Sequence, residues 1–219
     1  MNEDRPSGLA LIAGSFGFII TMALHPTGHQ FLEPGRLEEA ARLGVFVHAL
    51  ALCSLPILFL GAWGLSRSLS GSARLVQAAL VLYAGSLIAG MNAAVVSGLV
   101  APSLFRDFLA SGASPESTIH LLLNYSGLLN QAFAKVLVAG SSGAVLLWSA
   151  ALLRGGARGR GLGIYGCVFA LLTLLALFSG HLRLDVHGFG LFVLGQSAFL
   201  IAAGVLLCRR ARPATPSPP

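Results

Sequence analysis

Long apolar runs, separated by short polar stretches, are the dominant pattern of this chain. A helix needs about 20 consecutive, mostly apolar residues to cross the hydrocarbon core of a bilayer. Six runs reach that length, at roughly residues 8–25, 43–65, 75–101, 129–153, 161–180 and 188–208. The pattern therefore predicts the fold class: an all-α integral membrane protein built as a six-transmembrane-helix bundle.

The six runs predict one domain followed by a tail. The connections between them are too short to fold as separate units, so residues 1–212 are expected to form a single transmembrane domain. The first run is expected to be a retained helix and not a cleaved signal, because its leader carries Glu3 and Asp4 and no small-residue cleavage site follows Leu24. Residues 213–219 form a proline-rich segment that is expected to be disordered.

Composition supports a membrane protein and argues against nucleic-acid binding. The chain is 55% hydrophobic and 10% charged, whereas about a quarter of the residues of a soluble domain are charged. Its formal net charge of +6 comes from arginines in short connections and in the tail, with no basic face that carries interleaved aromatics. The expected partners are the lipid bilayer and a small-molecule or lipid headgroup ligand, not a nucleic acid.

The arginines predict how the bundle is oriented. Thirteen of the fourteen basic residues are arginine, and the excess positive charge falls in the second and fourth connections and after the last run. The residues concerned are Arg67, Arg74, Arg154, Arg158, Arg160, Arg209, Arg210 and Arg212. By the positive-inside rule, both the N and C termini are cytoplasmic. The arginine-, alanine- and glycine-rich composition is typical of a GC-rich bacterial genome, so the expected location is a bacterial inner membrane, with multiple passes and a periplasmic outer face.

All the histidines fall at the predicted outer ends of the apolar runs. They are His25, His29, His48, His120, His181 and His187. Histidine is the side chain that most readily ligates metals and transfers protons near neutral pH. At a helix end it can equally cap backbone carbonyls or lie among headgroups, and this interpretation is favoured for His29 and His120. His48 lies about a turn and a half inside its run, where an isolated polar group is costly, so a functional role is favoured there.

Polar residues on all six runs are predicted to reach one layer. At ~1.5 Å of rise per residue, one such residue in each run lies about 27–33 Å from the cytoplasmic end of its helix. That height is near the outer boundary of a hydrocarbon core ~30 Å thick. These residues are His25, His48, Asn92, Lys135, His181 and His187. Their similar depth predicts a single outward-facing pocket to which every helix contributes.

The densest motif is the segment 180–188, in which two histidines and one carboxylate fall within seven residues. The candidate metal ligands of the whole chain are His25, His48, His181, Asp185 and His187. Neutral imidazoles with a carboxylate suit zinc, copper or iron, and two opposed histidines can ligate haem b. HExxH, paired CxxC and Walker-type motifs, which would specify one chemistry, are absent from the sequence.

Three further polar residues are candidates for substrate binding: Asn92, Gln131 and Lys135. Gln131 and Lys135 share one helix face with His120 and Asn124, and a polar stripe on a membrane helix is expected to face protein or water. Two alternatives stay open. Lys135 can extend to the outer headgroups, and Asn92 can simply bridge neighbouring helices.

Two fragments resemble the membrane lipid phosphatases, which are also six-helix proteins with a site at the outer face. The segment 26–29, Pro-Thr-Gly-His, is similar to their Pro-Ser-Gly-His motif, and His181 with Asp185 matches the spacing of their terminal motif. The resemblance implies chemistry on a lipid phosphate. The rest of that family's pattern is missing, because only Arg5 precedes the first fragment as a basic residue, and leucines 174–175 replace the expected Ser-Arg pair.

The sequence leaves four functions open. The favoured one is an outward-facing His/Asp site that binds a transition metal or haem. The second is a membrane enzyme that acts on a lipid or quinone headgroup, with a metal-activated water. The third is a proton-coupled small-molecule carrier, against which stands the lack of Asp and Glu in all six runs. The fourth is a non-catalytic accessory subunit.

Overall fold

The computed structural model describes residues 4–25, 37–104, 106 and 116–210, and within these ranges the regular structure is entirely helical. The helices, numbered here in chain order, are α1 Asp4–Ala23, α2 Leu37–Ser68, α3 Ala73–Val95, α4 Glu116–Arg154, α5 Ala157–Phe178 and α6 Val186–Arg210. A short 3₁₀ turn, Ser70–Ser72, joins α2 to α3. A π-helical segment, Val96–Val100, extends α3, and the helix continues to Leu104.

Each of these helices is long and apolar enough to cross a membrane. The prediction of an all-α chain with six membrane-length helices is therefore confirmed over the described ranges. Every helix begins before its predicted apolar run, because polar residues there continue the helical turn, whereas α1 and α5 end two residues before the end of theirs. The largest difference is at α4, which has 39 residues and begins at Glu116, well before the apolar run at residue 129. The proline-rich segment 213–219 lies outside the described residues.

The first two helices pack closely because each offers glycines to the other. A Cβ on Gly14 would collide with Leu58, and a Cβ on Gly61 would collide with Leu11. The same principle joins α1 to α6, where a Cβ on Gly8 would collide with the carbonyl of Gly204. Small residues let membrane helices approach until their backbones touch, and the gain is van der Waals contact along the whole interface.

The remaining helices complete the bundle around a core of large side chains. Helix α3 packs most extensively on α4, and α5 packs against α4. Tyr83 and Trp148, both fully buried, meet edge to face with ring centroids 5.1 Å apart. The indole Nε1 of Trp148 donates a hydrogen bond of 3.0 Å to Ser66 Oγ. This bond satisfies the polar end of the largest core side chain in a region without water.

The two ends of the helix bundle differ in the polar residues that they carry. The arginine end carries Arg5, Arg67, Arg74, Arg154, Arg160, Arg209 and Arg210, and the histidine end carries His25, His48, His181 and His187. The start of α1 and the end of α6 meet at the arginine end, where Cys208 Sγ lies 3.8 Å from the Arg5 carbonyl oxygen. At the histidine end, a smaller hydrophobic cluster centred on Val138, Phe192 and Val193 closes the bundle.

A tight turn joins α5 to α6 at the histidine end. Gly180 adopts a positive φ of 76°, which favours glycine, and the Leu182 N–H reaches back to the Ala176 carbonyl oxygen at 2.8 Å. Asp185 then caps α6, because its Oδ1 accepts a hydrogen bond of 2.9 Å from the Gly188 N–H. The turn therefore ends one membrane-length helix and starts the next within a few residues.

Candidate metal-binding site at the histidine end

His48 is a buried histidine of α2, with 8% of its surface exposed. Its Nδ1 lies 2.6 Å from the Gly44 carbonyl oxygen, one helical turn earlier. A carbonyl oxygen can only accept, so this contact is a hydrogen bond when Nδ1 carries the proton. In the neutral ring Nε2 then holds the free lone pair. The local helix geometry thus sets which nitrogen of His48 is available to a ligand.

His25 follows the C-terminal end of α1 and is partly buried. Its ring meets the ring of His48 with centroids 5.0 Å apart and planes inclined at 70°. An imidazole that follows α1 and an imidazole of α2 are therefore in direct contact at the histidine end.

Contacts from α1 and α3 hold the pair in place. The hydroxyl of Thr21, one turn before His25, donates to the Gly17 carbonyl at 2.9 Å and approaches the Val47 carbonyl at 3.3 Å. The second contact links α1 to the residue that precedes His48. From α3, Gly98 packs directly on the side chain of His48.

Of the other candidate ligands, His181 and Asp185 lie in the turn between α5 and α6 and His187 lies in the first turn of α6, and their side chains are exposed. His181 Nδ1 lies 2.9 Å from Ser179 Oγ, a contact within the turn itself. Asp185 caps α6 and also lies 3.4 Å from Arg183 Nε. The hydrogen bond from the Gly188 N–H, assisted by Arg183 and His187, holds the pKa of the Asp185 carboxyl below its usual range. These contacts give the motif a structural role in the turn.

The three candidate substrate-binding residues have separate environments. Asn92 is exposed, and its Nδ2 donates to the Ile88 carbonyl of its own helix at 2.8 Å. Lys135 is exposed as well. Gln131 is partly buried, and its Nε2 donates to the Leu184 carbonyl at 3.0 Å, which ties α4 to the turn between α5 and α6. The stripe predicted to face protein or water is therefore exposed at Asn124 and Lys135.

Among the residues predicted to share one pocket, the structure brings His25 and His48 into contact. Within the described ranges, His, Cys, Asp and Glu side chains form no group of three or more that could hold a metal ion. Asn92, Lys135, His181 and His187 have exposed side chains at the same end of the bundle. His29 lies outside the described residues, as does the side chain of His120. Depth along a helix leaves the direction of each side chain undetermined, so a pocket shared by all six helices stays a prediction.

Two features that sequence reasoning missed are the contact of Gly98 with His48 and the π-helical turn in which Gly98 lies. Gly98 could be identified only as one of several small residues on α3 that suit close helix packing. A further signal was present: Pro102 follows Gly98 by four residues, the spacing at which proline disrupts a helix.

No protein-family model matches the chain, and neither a curated protein nor a solved structure is significantly similar to it.

Proposed function

We propose that this is a multi-pass protein of the bacterial inner membrane whose His25–His48 pair binds one transition metal ion at the periplasmic face. The topology rests on the excess of arginine at one end of the bundle, which the positive-inside rule assigns to the cytoplasm. The metal site rests on a single observation, the contact of an imidazole that follows α1 with an imidazole of α2, with ring centroids 5.0 Å apart.

That separation suits two ligands of one ion. Metal–nitrogen bonds are ~2.0 Å long, and an imidazole centroid lies about 1.1 Å behind its nitrogen, so a tetrahedral angle places two ring centroids about 5 Å apart. Two histidines on opposite sides of a haem iron need about 6 Å, and the flat macrocycle must fit between them. The observed 5.0 Å and the edge-on contact therefore favour a small ion over haem b.

The environment of His48 also suits a metal ligand. Ligating histidines commonly donate the second ring N–H to a backbone carbonyl, which fixes the ring and raises the basicity of the ligating nitrogen. The hydrogen bond of His48 Nδ1 to the Gly44 carbonyl at 2.6 Å is such a contact. Neutral nitrogen ligands are typical of zinc and copper, and the aliphatic surroundings contribute no thiolate. We therefore propose zinc or copper.

An ion held by two histidines keeps coordination positions for water or substrate. Open positions are typical of catalytic metal sites, whereas structural zinc sites are filled by four protein ligands. This favours, as a second candidate function, metal-assisted chemistry on a lipid or quinone headgroup at the outer membrane surface. His181, Asp185 and His187 are left outside the proposed site, because they lie exposed in the turn between α5 and α6 and at the start of α6.

The test is elemental analysis with a visible spectrum on protein purified in detergent from metal-replete cells. We expect about one zinc or copper per chain, with no Soret band. His25→Ala and His48→Ala should each lose the ion, and His181→Ala, the matched control from the exposed turn, should keep it. Wild-type protein that contains no metal and takes up neither zinc nor copper on titration would contradict the proposal. So would retention of the ion by His48→Ala.

A further inference from the structure

The π-helical segment Val96–Val100 lies beside the proposed site. In this segment the Ala101 N–H bonds to the Val96 carbonyl, five residues earlier, in place of the usual four. Such wide turns are rare inside α-helices and are frequent at functional sites. The segment is the only π-helical turn in the described parts of the chain.

Pro102 supplies a physical cause for the wide turn. Proline has no N–H to donate, and its ring clashes with the carbonyl of the residue four positions earlier in a regular helix. Here that residue is Gly98. One extra residue in the turn moves this carbonyl away from the ring and lets α3 continue to Leu104.

The residue in this turn that faces α2 is Gly98, which is buried. A Cβ on Gly98 would overlap Cβ and Cγ of His48 and would lie 3.1 Å from its Nδ1. Nδ1 is the atom that donates to the Gly44 carbonyl. The closest clash is with His48 Cβ, so no side chain larger than hydrogen fits unless the two helices move apart locally, and such a movement displaces the His48 ring and disturbs the hydrogen bond that fixes its tautomer.

We propose that Gly98, presented by the wide turn before Pro102, is the positioning residue of the metal site. Because Gly98 has no side chain, its backbone packs against His48 and holds the ring beside α2. In this position Nδ1 donates to the Gly44 carbonyl and Nε2 is available to a ligand. The role rests on the proposed metal function, but the orientation of the ring is a property of the metal-free protein and can be measured separately.

The experiment compares Gly98→Ala with Gly85→Ala in full-length protein. Gly85 is the matched control, because it lies on the same helix and a Cβ there meets nothing within 4 Å. ¹⁵N NMR of the metal-free protein should show one Nδ1–H tautomer of His48 in wild type and in Gly85→Ala. In Gly98→Ala we expect a mixture of tautomers. Zinc affinity, measured by titration, should fall about 10- to 100-fold in Gly98→Ala alone, the usual effect of disturbing the hydrogen bond behind a ligating histidine.

A wild-type tautomer signal in Gly98→Ala would overturn the inference. If wild type binds no zinc or copper but Gly98→Ala still changes the tautomer, the metal function fails and the positioning role stands. Pro102→Ala provides a second test that adds no atom beside His48. It restores the missing N–H donor, so α3 can return to a regular helix and withdraw Gly98 from the ring. The same mixture of tautomers is expected, and an unchanged signal in a folded Pro102→Ala protein would also overturn the inference.

Discussion

The histidine end contains two groups of histidines that look alike in the sequence and differ in the structure. His25, just after α1, and His48, within α2, meet ring to ring, and His48 is buried. His181 and His187 lie close together in the chain, yet both are exposed, His181 in the turn between α5 and α6 and His187 in the first turn of α6. The segment 180–188, which has the most candidate ligands in the sequence, therefore forms an exposed turn. The His25–His48 pair, whose members lie far apart in the sequence, is the more buried of the two groups.

The difference lies in what surrounds each ring. Around His48 the Gly44 carbonyl, the His25 ring and the backbone of Gly98 occupy three sides. In the turn, the backbone hydrogen bonds of Gly180 and Leu182 and the cap formed by Asp185 hold the chain, while the imidazoles extend outward. A ligand site needs side chains that are fixed by packing, and only the first group has this property.

The largest expected difference between the groups is in chemical reactivity. Diethyl pyrocarbonate should modify His181 and His187 in folded, metal-free protein at rates close to that of a free imidazole. His48 should react at least about tenfold more slowly, because the reagent reaches it only after local opening of the bundle. Mass spectrometry of peptides after timed labelling gives the rates. Equal rates at His48 and His187 would mean that the two groups do not differ in accessibility.

Most of the fold follows from the sequence for a simple reason. Each apolar run must satisfy its backbone polar groups internally in a membrane, and a helix does so without any partner. The six helices are therefore set by local composition, and this holds even at α2, where Pro56 falls inside the helix.

The candidate site follows from the sequence only in part. Counting residues from the arginine end gives the height of His48 but not the direction of its ring, which depends on the rotation of α2 against α1 and α3. Lys135 has a similar height and is exposed. Gly98 contacts His48 from within an irregular π-helical turn, whose geometry a regular helical period does not predict.

Thr21→Val should weaken the attachment of α1 beside the histidine pair. The variant keeps the size of the side chain and removes the hydroxyl that contacts the Gly17 and Val47 carbonyls. Hydrogen bonds between membrane helices contribute about 0.6 kcal/mol on average, so the loss of unfolding free energy should be of that order. Unfolding of the detergent-solubilised protein by denaturant measures it. Ser68→Ala, which removes a hydroxyl bonded within the end of α2, is the control expected to leave the His25–His48 contact unchanged.

Gln131→Leu should loosen the turn between α5 and α6 while leaving the histidine pair intact. The substitution removes the bond of 3.0 Å from Gln131 Nε2 to the Leu184 carbonyl, the link between α4 and this turn. Amide exchange in residues 180–188 should accelerate by severalfold, as expected for an exposed segment that loses one tertiary hydrogen bond. Exchange at residues 44–48 should not change. Acceleration at both places would show that the two histidine groups are coupled and not independent.

The smallest expected effect is a dependence of the same turn on pH. The Gly188 N–H holds the pKa of Asp185 below its usual range, so the carboxylate is bound more tightly in the folded turn than in the unfolded chain. The cap is therefore fully present above the ordinary aspartate pKa of about 3.9. It is lost as the pH falls through the lower, folded value. The Gly188 amide resonance, followed by NMR from neutral to strongly acidic pH, should shift in that lower window. Asp185→Asn keeps a capping oxygen but cannot titrate, so its Gly188 resonance should stay constant. A midpoint above the ordinary aspartate value in wild type would show that the Gly188 hydrogen bond does not stabilise the carboxylate.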